Sequence, residues 1–252
     1  MGSKLAIITG GSRGLGKSAA LKLAREGVDV ILTYHSNAAA AQAVTDEIEA
    51  MGRRAAALQL DTGNIAALAG FTQQLKSVLA EKWQRANVDF LVNNAGVGIH
   101  ASIDTTTEAQ FDTLYNIHVK GVFFLTQQLL PLIADGGRIV NVSTGLTRFA
   151  VPGYAAYAAM KGAVEVMSRY MAKELAPRRI AVNVLAPGAI ETDFGGGVVR
   201  DNAEMNAFIA SQTALGRAGL PDDIGGAIAS LLSDNSGWIN AQRIEVSGGI
   251  FI

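Results

Sequence analysis

The stretch Ile8–Ala24, ITGGSRGLGKSAALKLA, places four glycines, a serine and an arginine between a β-type run and a helix-type run. Glycine is unfavourable inside either element, so the cluster serves the turn between them. Gly10, Gly14 and Gly16 permit a tight turn, close approach to the backbone and close helix packing, with Ser12 and Leu15 among them. The N-terminus of the following helix would offer free N–H groups and a positive dipole end to a pyrophosphate. The spacing, G-x3-G-x-G, differs from the commoner G-x-G-x-x-G. A phosphate cradle and a plain structural turn are the two readings of this stretch.

The next strand narrows the first reading. An NAD site would set Asp or Glu about twenty residues on, against the ribose hydroxyls. Here the strand ends in Tyr34, His35, Ser36 and Asn37, with no carboxylate, and Arg13 faces that end from the turn. A cation, hydroxyls and an amide suit a 2′-phosphate. NADP(H) is therefore the preferred cofactor, with NAD(H) possible; otherwise Arg13 and His35 are solvated surface groups.

Bulk properties exclude several classes. The chain has 252 residues, a net charge of −1 and 49% hydrophobic residues, enough for one large domain over 1–252. No cysteine is present, which removes disulfides, thiolate metal sites and a cysteine nucleophile. His35, His100 and His118 are too scattered to suggest a metal site. The balanced charge argues against a general nucleic-acid binder. No apolar run reaches the ~18–20 residues of a membrane span. Gly2 lacks the Ser or Thr at position six that myristoylation wants, Ala6 standing there. These features predict a cytoplasmic protein with no membrane partner.

Strand candidates at 4–9, 28–34, 54–60, 88–94, 137–143, 180–186 and 242–247 alternate with helix candidates. The helices fall near 15–26, 38–51, 64–82, 108–133, 154–176, 202–213 and 221–233. The alternation predicts an α/β fold: one doubly wound, Rossmann-like domain whose parallel sheet of about seven strands carries helices on both faces. Ligands in such sheets sit beyond the C-terminal strand ends.

Tyr157-Ala-Ala-Met-Lys161 falls on a predicted helix, and i, i+4 spacing puts both side chains on one face, about 6 Å apart along the axis. A neighbouring ammonium favours the phenolate and so lowers the phenol's pKa.

TGGSRGLG, Asp61, NNAG (Asn93–Gly96), YAAMK, APGAIET (Ala186–Thr192) and the terminal VSGG follow one another from Lys4 to the last residues. In order and spacing the chain resembles the short-chain dehydrogenases/reductases, near the branch of 3-oxoacyl-carrier-protein reductases and carbonyl reductases. The resemblance implies that Tyr157 protonates the developing alkoxide in ketone reduction, and that Lys161 binds the nicotinamide ribose. It implies a substrate-orienting hydroxyl at Thr144, with Ser143 in reserve. Asp61 and Thr62 would contact the adenine, and Asn93, Ala95 and Gly96 would line the adenosine side. Pro187, Gly188, Ile190 and Thr192 would hold the carboxamide and phosphates. Three positions depart from the family pattern: His118 stands where an asparagine is usual, Met160 replaces a small hydroxyl residue, and Ala241 replaces a frequent glycine. The catalytic set then includes His118, through its main-chain carbonyl or its imidazole.

The substrate wall is expected from 97–102, 145–154 and a lid near 189–211, including Val97, Leu146, Phe149, Val151, Tyr154, Phe194, Val198, Met205 and Phe208. This apolar set favours a small-molecule ketone or secondary alcohol with a hydrophobic group. FGGGVV (194–199) reads as a lid hinge or an ordinary mobile loop, and Arg148 as a contact for an anionic tail or a solvated side chain. The terminal GGIFI is too apolar for water and packs within the fold or on another subunit; the resemblance implies a homotetramer. The leading function is an NADPH-dependent carbonyl reductase. An NAD-dependent alcohol or sugar dehydrogenase and a dinucleotide-binding regulator with decayed catalysis are the alternatives.

Overall fold

The computed structural model describes residues 3–252; Gly2, and with it the lipidation question, lies outside the described residues. The strands are β1 (Leu5–Ile8), β2 (Asp29–Tyr34), β3 (Ala55–Gln59), β4 (Val88–Asn93), β5 (Ile133–Val142), β6 (Ala181–Pro187) and β7 (Arg243–Val246). They form one parallel sheet in the order β3-β2-β1-β4-β5-β6-β7. The chain moves outward from β1 to β3 and then restarts at β4 on the other side of β1. That reversal opens a crevice at the C-terminal ends of β1 and β4.

The helices are α1 (Gly14–Arg25), α2 (Ala38–Ala50), α3 (Leu68–Val78), α4 (Glu108–Tyr115), α5 (Val122–Leu129), α6 (Ala155–Glu174), α7 (Val198–Asp201), α8 (Ala203–Ser211) and α9 (Pro221–Leu232). Alternate strand side chains feed two cores. Ala6, Ile8, Val30 and Leu32 pack with Leu23 of α1, Val44 of α2 and Ile228 of α9. Leu5, Ile7 and Ile31 pack with Leu75 of α3, Leu125 of α5 and Ala172 of α6. Both faces of the inner strands are covered, which is why they read as continuous apolar runs.

Two stretches differ from the sequence expectation. The helix expected over 108–133 is divided: α4 and α5 flank a π-helical segment, Asn116–Gly121, that contains His118. Gly121 lies there against the Thr62 carbonyl, where a Cβ would collide. Strand β5 begins at Ile133 rather than 137, with a register shift between the Val88 and Phe90 pairings. Ala241 has φ +59°, a left-handed conformation that suits glycine. Among the described residues, no helix is long and apolar enough to cross a membrane.

Candidate active site

A cleft of about 570 Å³ lies along the C-terminal strand ends. At one end is the N-terminus of α1. Arg13 sits at its cap in extended conformation, no side chain caps it, and no acidic residue occupies the first turn. First-turn N–H groups are thus left for an anion, where the helix dipole favours one. Gly10 (φ +65°) and Gly14 (φ +55°) take turn conformations that other residues adopt at a cost. The Gly11 N–H donates to the Thr33 carbonyl at 2.8 Å, tying the turn to β2. Buried Thr9 accepts from the N–H groups of Asn94 and Ala95, both at 2.9 Å, and so fastens the loop after β4 beside the turn.

Gly10, Ser12, Arg13, Gly14, Leu15, Tyr34, His35, Ser36, Asn37, Asp61 and Thr62 all line the cleft, as do Ala95, Gly96, Pro187, Gly188, Ile190 and Thr192. The end of β2 carries no carboxylate. Its neighbour Asp61 is 3.9 Å from His35, and Arg13 reaches Asp193 at 3.6 Å. The Asn37 side chain accepts from the Ala40 N–H at 2.9 Å and caps α2. Uncapped N–H groups, an exposed guanidinium and an acid-free strand end fit a phosphorylated dinucleotide.

Gly16 and Asn93, expected at the cofactor, do not line the cleft. A Cβ on Gly16 would lie 2.6 Å from Asn94 Nδ2 and closer still to the Gly10 carbonyl, so this glycine lets α1 approach the strand ends. Asn93 turns into the core, donating to Asn141 at 2.8 Å and Thr126 at 3.0 Å. Its neighbour Asn94 lines the cleft instead, with Ala40, Leu60, Ile117 and Val142, which had no binding role in the sequence reading; Val97 and Phe194, expected in the substrate wall, line it too. Gly11–Ser18 also fits the G-x4-G-K-S pattern of a phosphate-binding loop. Here, however, Lys17 pairs with Glu47 of α2 and Ser18 donates to Asp222.

Thr144, Tyr157, Lys161 and His118 meet at the inner end of the cleft. Tyr157 and Lys161 lie on one face of α6, both buried. Burial pushes the Tyr157 phenol well above its usual value; the Thr144 hydroxyl pulls it down and Tyr154 pushes it up. Lys161, expected to lower it, is not among the groups that shift it. Lys161 donates to the Val142 carbonyl at 2.8 Å, and burial brings its pKa down to about 8. Ser143 is engaged elsewhere: its hydroxyl donates to Glu165 at 2.7 Å.

His118 is fully buried and stands edge-on to Tyr157, with ring centroids 5.3 Å apart. Its Nε2 lies 2.8 Å from the Val97 carbonyl, an acceptor, so Nε2 carries the proton. Nδ1 has no partner among the described residues. Burial first, and the charge of Lys161 second, bring its pKa down to about 3, against the Val97 hydrogen bond. The imidazole is thus neutral. A Cβ at position 96 would lie 2.7 Å from its Cε1, which accounts for Gly96.

The expected substrate wall is partly assembled. Phe194 stands 5.6 Å from Tyr157 and Tyr154 6.5 Å, centroid to centroid. Leu146 joins Tyr157 and Met160 in a small apolar cluster, while Met205 and Phe208 are exposed on α8. Gly195, Gly196 and Gly197 all have positive φ. Phe149 turns instead to Phe251, at 4.8 Å. Arg148 fits neither of its expected readings. It forms a fork with Glu245 at 2.6 and 2.8 Å and donates to the Ile250 and Phe251 carbonyls. Of the terminal segment, Ile250 is buried within the fold while Ile252 is 91% exposed. Among the described residues, no cluster of three or more His, Asp or Glu side chains could hold a metal.

Comparison with known proteins agrees with this geometry. Residues 10–250 match the family described as enoyl-(acyl carrier protein) reductase. An uncharacterized oxidoreductase of Methylorubrum extorquens is 38% identical over 98% of this chain and 97% of its own. The promiscuous reductase LugOII, which catalyses keto-reduction at C1 during lugdunomycin biosynthesis, superposes with a TM-score of 0.94 at 38% identity, over 99% of this chain and 98% of that one. The angucycline C-6 ketoreductase LanV, with bound NADP, superposes with a TM-score of 0.93 at 34% identity, over 98% and 95%. The chain belongs to the short-chain dehydrogenase/reductase family of NAD(P)-dependent oxidoreductases.

Proposed function

We propose that this protein reduces a bulky, largely apolar ketone to a secondary alcohol with NADPH as cofactor. One observation carries the reading: the Thr144 and Tyr157 hydroxyls and the Lys161 ammonium converge at the inner end of a cleft whose outer end is an uncapped helix N-terminus beside an acid-free β2. The α1 turn would take the pyrophosphate and Arg13, His35 and Ser36 the 2′-phosphate. Asp61 and Thr62 would flank the adenine, and Pro187 to Thr192 the nicotinamide side. Bound NADPH would supply the hydride to the carbonyl carbon.

The chain's own groups do the rest. Thr144 and Tyr157 donate to the ketone oxygen and hold it in place. Burial keeps the proton on the Tyr157 phenol at neutral pH, so the group is ready as the acid that neutralises the alkoxide. Lys161, largely charged at pH 7, would meet the ribose hydroxyls. His118 stays neutral and packs against the Tyr157 ring, while its main chain sits in the π-helical turn. Phe194, Tyr154 and Val97 offer an apolar wall to a ring-bearing substrate, in keeping with the keto-reduction by LugOII and the angucycline C-6 ketoreductase activity of LanV. For assembly we propose a homotetramer, supported by the apolar side chains exposed on α4, α5 and α6, among them Phe111, Phe123 and Tyr170.

The test is a panel of 1-tetralone, acetophenone, ethyl acetoacetate and cinnamaldehyde, each with NADPH and with NADH. Reduction of a ketone carbonyl with preference for NADPH supports the reading. Equal use of NADH overturns the cofactor assignment, and reduction of the cinnamaldehyde double bond alone overturns the ketone.

A further inference from the structure

Thr144 and Tyr157 must aim two hydroxyls at one carbonyl oxygen, yet they belong to different elements. Thr144 follows β5 in extended conformation (φ −161°, ψ 154°), and Tyr157 is on the first turn of α6. Hydrogen-bond reach tolerates only a few tenths of an ångström, so something must set the loop against the helix. A polar cluster behind the cleft does this.

Glu165 lies on α6 at i+4 from Lys161 and i+8 from Tyr157, and so on the same helix face. Its carboxylate accepts from the hydroxyls of Ser143 and Thr147, both at 2.7 Å, on either side of Thr144. Arg243 of β7 completes the cluster. Its Nε donates to Glu165 at 2.9 Å, its Nη1 to Glu245 at 3.0 Å, and its Nη2 to the Thr144 carbonyl and the Thr147 hydroxyl, both at 3.1 Å. One planar guanidinium thereby touches the Thr144 main chain, α6 and β7 together. Lysine, a point charge on a flexible stem, cannot reproduce that fork. The side chains of Glu165 and Arg243 are 13% and 25% exposed, so these bonds are shielded from water on most sides.

We propose that Arg243 and Glu165 form a clamp that fixes the aim of the Thr144 hydroxyl relative to Tyr157, making Arg243 a positioning residue for the reaction. The inference rests on the reading of Thr144 as the hydroxyl that orients the ketone. A misplacement of about 1 Å from a residue remote from the chemistry can cost roughly 100-fold in rate.

The test uses Arg243→Lys, which retains a cation between Glu165 and Glu245, and Arg243→Met. Both are compared with Thr144→Val and the Arg243→Lys/Thr144→Val double variant, with 1-tetralone and NADPH, below every variant's melting temperature. Arg243→Lys should lower kcat at least 10-fold, with NADPH affinity within twofold of the parent. In the Thr144→Val background the same change should have no further effect. Amide exchange should rise in 143–149 and stay unchanged in β7. An unchanged exchange pattern overturns the clamp whether or not the enzyme turns over the ketone, and so does an equal loss of kcat in both backgrounds. Should Arg243→Met fail to fold, the Arg243→Lys results decide alone. A harmless Thr144→Val would overturn the underlying reading of Thr144, while the exchange result still judges the clamp.

Discussion

Acidification should destabilise this protein through His118. The imidazole is fully buried and held neutral, with a folded-state pKa of about 3. In the unfolded chain it returns to about 6.5. A histidine depressed in this way takes up its proton first in the unfolded state, so stability falls as the pH drops below about 6.5. At pH 5 the loss is about 2 kcal/mol, from about 1.36 kcal/mol for each pH unit between 6.5 and 5. That figure requires only that the folded value lie well below 5. Lys161 adds no slope here, because its folded value of about 8 leaves it protonated in both states between pH 7 and 5. His118→Asn removes the titrating group. Urea unfolding of both proteins at pH 7 and pH 5, at fixed ionic strength, isolates the effect from any cavity the variant leaves. The parent should lose about 2 kcal/mol more than the variant between the two pH values, equivalent to roughly 4–8 °C in Tm for a chain of this size. Parallel losses would refute the buried neutral imidazole.

Tyr157→Phe should cut ketone reduction by roughly 10²–10⁴-fold while NADPH binding, followed by fluorescence, stays near the parent value. Turnover near the original rate would remove the phenol from the chemistry. Thr144→Val should cost roughly 10²-fold in kcat, the scale of a lost oxyanion donor, and Thr144→Ser should restore most of it. Ala241→Gly should raise unfolding stability by roughly 1 kcal/mol, because φ +59° strains alanine and not glycine; an unchanged denaturation midpoint would show that the strain is absorbed elsewhere.

The sheet was legible because β1, β2 and β4 are covered on both faces and so carry unbroken apolar runs. The cleft was legible because glycines and polar residues gather just after those runs. What escaped the reading depended on direction or on distant partners. Asn93 and Asn94 are adjacent and alike in sequence, but side chains alternate at a strand end, so one enters the core and the other the cleft. The G-x4-G-K-S match from Gly11 depends on where Lys17 points, and Glu47 on α2 decides that. Arg148 finds its partner Glu245 97 residues away, and Ser143 finds Glu165 22 residues away; neither separation carries a local signal. The π-helical turn around His118 also left no periodicity to read, since one extra residue per turn shifts the pattern only once.

If the cleft carries a hydride from a phosphorylated dinucleotide to a ketone carbon, the hydrogen can be followed by isotope. NADPH deuterated at C4 of the reduced ring, offered with 1-tetralone in a single turnover, tests it directly. Deuterium should appear on the carbinol carbon of 1-tetralol, transfer should be strongly diminished in Tyr157→Phe, and the reaction with deuterated NADH should be slower. Tight NADPH binding with no deuterium transferred to any panel ketone would rule out hydride transfer in this cleft and leave a protein that holds the dinucleotide without using it.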